Sequence, residues 1–286
     1  MTVPTETAGD VVRVGTFNVL GLTGFRAADA AADLGPPGGE RSVTWWVERF
    51  AALDCDLLGL QEGVDHAWAV RIARLGGWHL ATIPSPLRWS GHVLARQPIL
   101  ETRVFSHATP GTTDHDPFSR CCGAVLVDAA RDGAPWWFLV LHACPSRPEI
   151  PEEEARRRRA VEADRLEPVL DSLELTATPI IVVGDFNSDA DETIHERLRT
   201  RGYVNAMERV GGIQPTFGKH GARPEHIYAL DHIYLGPPLG TRLVGARLVT
   251  DDDFWHPGPE AAGRWVASDH LPVVADLARR ESSRPG

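Results

Sequence analysis

Apolar positions in this chain fall into short runs, and run after run closes on a polar residue. Val11-Val12-Arg13-Val14-Gly15-Thr16-Phe17 alternates with a period near two and predicts a strand ending at Asn18. Leu57-Leu58-Gly59-Leu60 is a short buried strand followed by Gln61 and Glu62. Residues 91–99 and 123–127 read as further strands, with Arg120 just ahead of the second. Trp136-Trp137-Phe138-Leu139-Val140-Leu141 is apolar throughout and ends on His142. Ile180-Ile181-Val182-Val183 is mostly β-branched, stops at Gly184, and is followed by Asp185 and Asn187. Residues 228–235 read as a strand with Asp231 inside it, and residues 242–249 and 271–277 as the last two strands. Ser268-Asp269-His270 directly precedes the final one.

Helical spacing occupies the intervals. Trp45, Trp46, Arg49, Phe50 and Leu53 share one face, with Ser42 or Thr44 as the expected N-cap and the tryptophan pair as core packing. Residues 64–75, 152–170 and 191–201 suit three more helices. The third of the four begins acidic and then carries Arg156 to Arg159, an order that suits the helix dipole. A run of four arginines is read as a solvated face in preference to a phosphate-binding patch. Residues 21–40, 214–217 and 251–265 are loops. No repeat or linker divides the chain, so one domain is expected over residues 11–278, with flexible tails at 1–10 and 279–286.

Composition narrows the class. With 286 residues, 43% hydrophobic and 24% charged, the chain can bury a large core and reads as a soluble enzyme. No apolar run is long enough to span a membrane, and Met1 to Asp10 lacks the basic and apolar regions of a signal. A cytoplasmic location and a monomer are the expectation; a secreted form already trimmed of its signal would look the same. Cys55, Cys121, Cys122 and Cys144 show no zinc spacing, and the adjacent pair suits a disulfide poorly, so buried free thiols are expected. The net charge of −10 disfavours nonspecific nucleic-acid binding.

The strand-end residues carry the chemistry. Asp185 and Asn187, one residue apart in an extended backbone, face the same side. An acid there can orient a water or bind a metal, and an amide can donate to a phosphoryl oxygen. Alone, the segment is as well explained as a turn, and His142 alone as a core histidine. If Glu62, Asp185, Asp231 and Asp269 converge, like charges about 4 Å apart repel by roughly 4 kcal/mol at a dielectric near 20. A hard divalent cation, Mg²⁺ or alternatively Mn²⁺, and protonated histidines would relieve that repulsion.

In order and spacing, Gly15-Thr16-Phe17-Asn18, Leu60-Gln61-Glu62, Gly184-Asp185-Phe186-Asn187, Leu230-Asp231-His232 and Ser268-Asp269-His270 resemble the endonuclease/exonuclease/phosphatase superfamily. Asp116-Pro117-Phe118-Ser119-Arg120 and Leu141-His142-Ala143-Cys144-Pro145-Ser146 look closest to its pancreatic-type deoxyribonuclease branch. The resemblance implies an α+β fold, a four-layer αββα sandwich of two mostly antiparallel sheets flanked by helices. It implies Glu62 as the principal metal ligand, Asp269 as a second ligand or the partner of His270, Asp185 positioning the attacking water, and His270, oriented by Asp231, as base or electrostatic element. Asn18 and Asn187 would hold phosphoryl oxygens, Arg120 would contact a phosphate, and His142 would stabilise the transition state or protonate the leaving oxygen. Two positions depart from known branches. Leu20 stands where the apurinic-endonuclease branch has a metal-proximal Asp, which points to a single main metal site. No Glu lies near Gly91-His92, where deoxyribonuclease places a partner for its leaving-group histidine. The expected activity is metal-dependent hydrolysis of a phosphate monoester or diester. A DNA endonuclease is the rival, and a catalytically inactive binding module the remoter one.

Overall fold

A computed structural model of the chain describes residues 11–25, 34–36, 38–86, 89–106, 118–128, 134–218, 227–251, 253–255 and 265–279. The expected tails at 1–10 and 280–286 lie outside the described residues. Arg279, the first residue of the expected C-terminal tail, is instead tied back, its Nε donating to Val11 O at 3.0 Å.

The strands are β1 (Val11–Asn18), β2 (Leu57–Gln61), β3 (His79–Ile83), β4 (Gly91–Ala95), β5 (Ile99–Val104) and β6 (Cys122–Val127). They continue with β7 (Trp136–His142), β8 (Ile180–Asp185), β9 (Val204–Asn205), β10 (Asp231–Leu235), β11 (Leu243–Leu248) and β12 (Val273–Ala278). Two six-stranded sheets result, ordered β11-β12-β1-β2-β4-β3 and β5-β6-β7-β8-β10-β9. Each is antiparallel except for one central parallel pair, β1 with β2 and β7 with β8. The helices are α1 (Glu40–Leu53), α2 (His66–Gly76), α3 (Glu152–Glu174), α4 (Thr193–Thr200), α5 (Ala206–Val210) and α6 (Pro237–Gly240).

Three apolar layers follow from the two-residue period. Val14, Val93, Phe138, Val140, Ile181, Val183 and Val273 pack between the sheets. Their neighbours on the opposite faces pack outward. Phe17, Leu58 and Leu60 meet Trp46 and Phe50 of α1 and Ile72 of α2. Trp137, Leu139 and Val182 meet Leu166 and Leu170 of α3 and Leu198 of α4. Central strands covered on both faces read as continuous apolar runs, which is why β7 and β8 stand out in the sequence. Trp46 is core, as expected, and its indole donates to Leu22 O at 3.1 Å.

Several local expectations are corrected. The first helix starts at Glu40 with Gly39 at its N-cap position, and Ser42 lies buried inside it, so neither Ser42 nor Thr44 caps it. Residues 91–99 are not one strand: Pro98, with no N–H to give a ladder, sits in the turn between β4 and β5, which belong to different sheets. The solvated-face reading of the arginine run holds for Arg156, Arg157 and Arg158 but fails for Arg159, which is buried. Its guanidinium forms a fork with Glu192, Nε and Nη2 each at 2.8 Å from a carboxylate oxygen.

Gly184 is required where β8 meets β7. Its φ is +152°, and an added Cβ would lie 1.8 Å from Leu141 O on the paired strand. Backbone cannot yield there without breaking the parallel pair. Gly184→Ala should therefore cost about 3 kcal/mol or more. A thermal midpoint within 2 °C of the parent protein, roughly the scale of 1 kcal/mol in a chain this size, would show that the strand does not need glycine there.

Candidate active site

The registers bring the polar strand ends to one level. Asn18 pairs with Gln61 at the ends of β1 and β2, His142 with Asp185 at the ends of β7 and β8, and Asp231 with Asp185 across β10. Glu62 and Asn187 come one and two residues later with φ of 50° and 48°. Asn adopts this left-handed region readily; for Glu it carries strain, a feature that concentrates at functional sites.

Asp185 is the hub. Its Oδ2 accepts from Asn18 Nδ2 at 2.8 Å and its Oδ1 from the backbone N of Asn187 at 2.9 Å. Two imidazole nitrogens face Oδ2: His142 Nε2 at 3.7 Å and His270 Nε2 at 3.8 Å. His142 Nε2 also stands 3.8 Å from Glu62 Oε1. The other nitrogen of His270, Nδ1, is 2.7 Å from Asp231 Oδ2, the pairing expected from the sequence. Thr216 Oγ1 donates to the same oxygen at 2.6 Å and accepts from the backbone N of Asp231 at 3.1 Å. Ser268 Oγ bridges outward, donating to Asn18 O at 2.7 Å and accepting from the backbone N of His270 at 3.2 Å. Asn18 and Asn187 each have one amide hydrogen engaged, on Asp185 and on Ala143 O, and Asn187 lines the cavity.

Burial sets the charge states. It pushes Asp185 up to about 7, against the pull of His270 and with the push of Asp231. Burial also raises Glu62, opposed by the positive fields of His270 and Arg120. His270 is the exception to desolvation: burial alone would lower it, but Asp231 and Asp185 overcome that and hold the imidazole well above its ordinary value. His142 is fully buried, finds no hydrogen-bond partner for either nitrogen among the described residues, and is driven by that burial well below its ordinary value, so it is neutral.

A cavity of about 680 Å³ opens over these groups. Glu62, Asp185, Asn187, Asp269 and His270 line it, with the apolar Leu20, Trp89, Pro145, Phe217, Tyr228 and Leu230 and the polar Ser146, Arg147, Glu152, Arg156, Asp189 and Glu192. Arg120 is buried with its guanidinium over the Trp89 ring, 5.8 Å from the centroid. Asp116 and Pro117 of the motif that includes Arg120 lie outside the described residues. Leu20 does line the cavity, so no acid occupies that position.

The donor set fits a hard cation. Among the described residues, no hydrogen-bond donor reaches the Glu62 carboxylate, and Asp269 faces the same cavity. Asp185, Asp231 and His270 also bring ligand atoms within 4.8 Å of one another. A cation among those three would have to break the His270–Asp231 and Thr216–Asp231 hydrogen bonds. Among the described residues Glu62 has no such hydrogen bond to give up, and Asp269 accepts only a longer one from Ser268 Oγ, at 3.3 Å.

The sequence did not point to Glu162 or Thr216. Glu162 is buried on the inner face of α3 and clamps two site loops at once. Its Oε1 accepts from Ser119 N at 2.7 Å and Ser119 Oγ at 2.6 Å, beside Arg120, and its Oε2 from Cys144 N at 2.9 Å, beyond His142. In the sequence it is one acid among many on a charged helix, and only burial distinguishes it. All four cysteines are buried and free, as expected.

No curated protein matches the chain. Among solved structures, the mannosyl-6-phosphatase of Bacteroides thetaiotaomicron superposes with a TM-score of 0.69 at 19% identity, covering 93% of this chain and 99% of that one. The human Nocturnin catalytic domain with bound sulfate gives 0.64 at 18% identity, covering 95% and 94%. Truncated TDP2 of Caenorhabditis elegans gives 0.64 at 16% identity, covering 94% and 98%. At these identities the likeness is one of fold. The sequence likeness is broader, for residues 15–270 match the Endonuclease/Exonuclease/phosphatase family from the first strand motif to the last histidine, and this chain belongs to that family.

Proposed function

We propose that the chain is a divalent-metal-dependent phosphoesterase, Mg²⁺ being the expected ion, that adds water to phosphorus and breaks the ester P–O bond of a small organic phosphate. Its family comprises hydrolases acting on phosphoester bonds. The observation that carries the reading is Asp185, a buried carboxylate near neutrality, flanked by a charged and a neutral imidazole beside the donor-free Glu62. A carboxylate with a value near the working pH serves well as general base, and Asp185 would take the proton of the attacking water. Of the two roles open to His270, the electrostatic one fits: an imidazolium held protonated has no lone pair to accept a proton. His142, neutral, would offer an N–H to a phosphoryl oxygen instead of delivering a proton to the leaving group. Asn18 and Asn187 would add their second amide hydrogens, and Arg120 a fixed positive charge. A cation held by Glu62 and Asp269 would, when bound, neutralise charge on the phosphoryl oxygens.

A bounded cavity with Glu152, Asp189 and Glu192 on its wall suits a small ester better than a polyanion. The mannosyl-6-phosphatase of the same fold acts, as its name says, on such an ester, which supports the same reading. The test is a panel of phosphomonoesters, phosphodiesters and plasmid DNA with purified protein and Mg²⁺ or Mn²⁺. Metal-dependent turnover of small esters, with slow plasmid nicking at physiological salt, is expected. Plasmid nicking far faster than any small-ester turnover would establish the endonuclease, and no turnover at all the binding module.

A further inference from the structure

We propose that Arg147 recognises the doubly charged phosphoryl group of a monoester and sets a preference for phosphomonoesters over phosphodiesters. The proposal rests on the phosphoester reading above and names its substrate class. Arg147 follows β7 in a tight turn, its N donating to Ile150 O at 3.0 Å and accepting through its own O from Ile150 N at 2.9 Å. Pro148 and Pro151 stiffen that turn. The exposed side chain lines the same cavity as Glu62, Asp185 and His270.

Its neighbours on α3 are already neutralised. Arg156 lies within 3.3 to 3.7 Å of carboxylate oxygens of Glu152, Glu192, Asp189 and Asp191. Arg159 is held by Glu192 and Glu152, each at 2.8 Å. Among the described residues, Arg147 forms no ion pair. Arg147 therefore presents its positive charge to the cavity that Glu62, Asp185 and His270 also line.

The charge count selects the ester. At neutral pH a monoester phosphoryl group carries about −1.5 to −2 and three non-bridging oxygens. A diester carries one charge and two such oxygens. Arg147 adds a positive charge beyond those of Arg120 and His270, with a planar fork that fits two phosphoryl oxygens.

The experiment compares 4-nitrophenyl phosphate with its methyl ester, which share a leaving group and differ in the charge at phosphorus. The parent protein should favour the monoester. Arg147→Ala should lower kcat/KM for the monoester about ten- to a hundredfold, the scale of one lost charge-assisted hydrogen-bonded contact, and for the diester less than about threefold. Calorimetric titration with inorganic phosphate should weaken by a similar factor, and Arg147→Lys should recover part of both losses. The exposed position predicts an unchanged thermal midpoint. Equal losses on the two esters, a parent protein that favours the diester, or unaltered phosphate binding would overturn the assignment. A parent protein that turns over no phosphoester would defeat the enzymatic reading, and phosphate titration would still decide whether Arg147 binds the anion.

Discussion

Glu62→Gln is expected to keep the fold and lose nearly all activity, by about a thousandfold, the scale of several kcal/mol of lost charge stabilisation in the transition state. Glu62 is buried just past the end of β2, with the left-handed φ of 50° that turns it from the sheet toward the cavity. The swap conserves shape, and the backbone contacts of the turn do not depend on the side chain: Gly21 N donates to Glu62 O, and Gly63 N to Ser90 O. What changes is the charge. A buried carboxylate with no donor of its own among the described residues is costly to ionise, and burial does raise its value. A cation repays that cost; an amide removes both the cost and the affinity. The variant should therefore be no less stable than the parent in the absence of metal, and should gain little stability when Mg²⁺ or Mn²⁺ is added. Calorimetric titration checks this directly. Unchanged metal binding by Glu62→Gln would move the metal elsewhere, with the Asp185, Asp231 and His270 group the first alternative.

The sequence announced the site better than its surroundings. Asn18, Glu62, His142, Asp185, Asp231 and His270 were visible because each interrupts, ends or directly precedes an apolar run, and burying a polar group without purpose is costly. Two-faced burial made β7 and β8 plain for the same reason. Edge strands were harder. β5 shows mostly exposed and half-buried positions and lacks a strong apolar signature, and β9 has only two residues. The partners that hold the site were harder still. Thr216 looks like a loop residue, and Arg159 and Glu162 look like surface charges on α3. Their burial weakens that helix's amphipathic pattern, because charged groups occupy its inner face. Pairing across 33 residues, as between Arg159 and Glu192, leaves no periodic trace. The charge state of His142 was also out of reach, since it depends on a full burial that only the fold creates.

Asp231→Asn is expected to lower turnover by about a hundredfold or more while leaving the protein folded, and His270→Ala to cause a comparable loss. Asp231 Oδ2 accepts two short hydrogen bonds, from His270 and Thr216, and its Oδ1 is buried without a partner among the described residues. An asparagine can keep its carbonyl oxygen toward both donors and turn its amide to the vacant side, so shape survives. The negative charge does not. Burial pulls the His270 value down, and Asp231, Asp185 and Asp269 pull it up; removing the first of these carboxylates shifts the balance toward the neutral ring. The sign follows from linkage. A histidine raised above its ordinary value of about 6.5 contributes stability that is complete below that value and is lost as pH rises through its folded-state value. Asp231→Asn should therefore lose activity at a lower pH than the parent on the alkaline side, and give up the stability His270 contributes near neutrality. If the two residues act as one unit, the double variant should be little slower than either single one, because the second substitution removes what the first has already disabled. Fully additive rate losses would mean the two act separately. A collapsed thermal midpoint in Asp231→Asn, with His270→Ala fully stable, would mean that Asp231 serves the fold through Thr216 and not the reaction through His270.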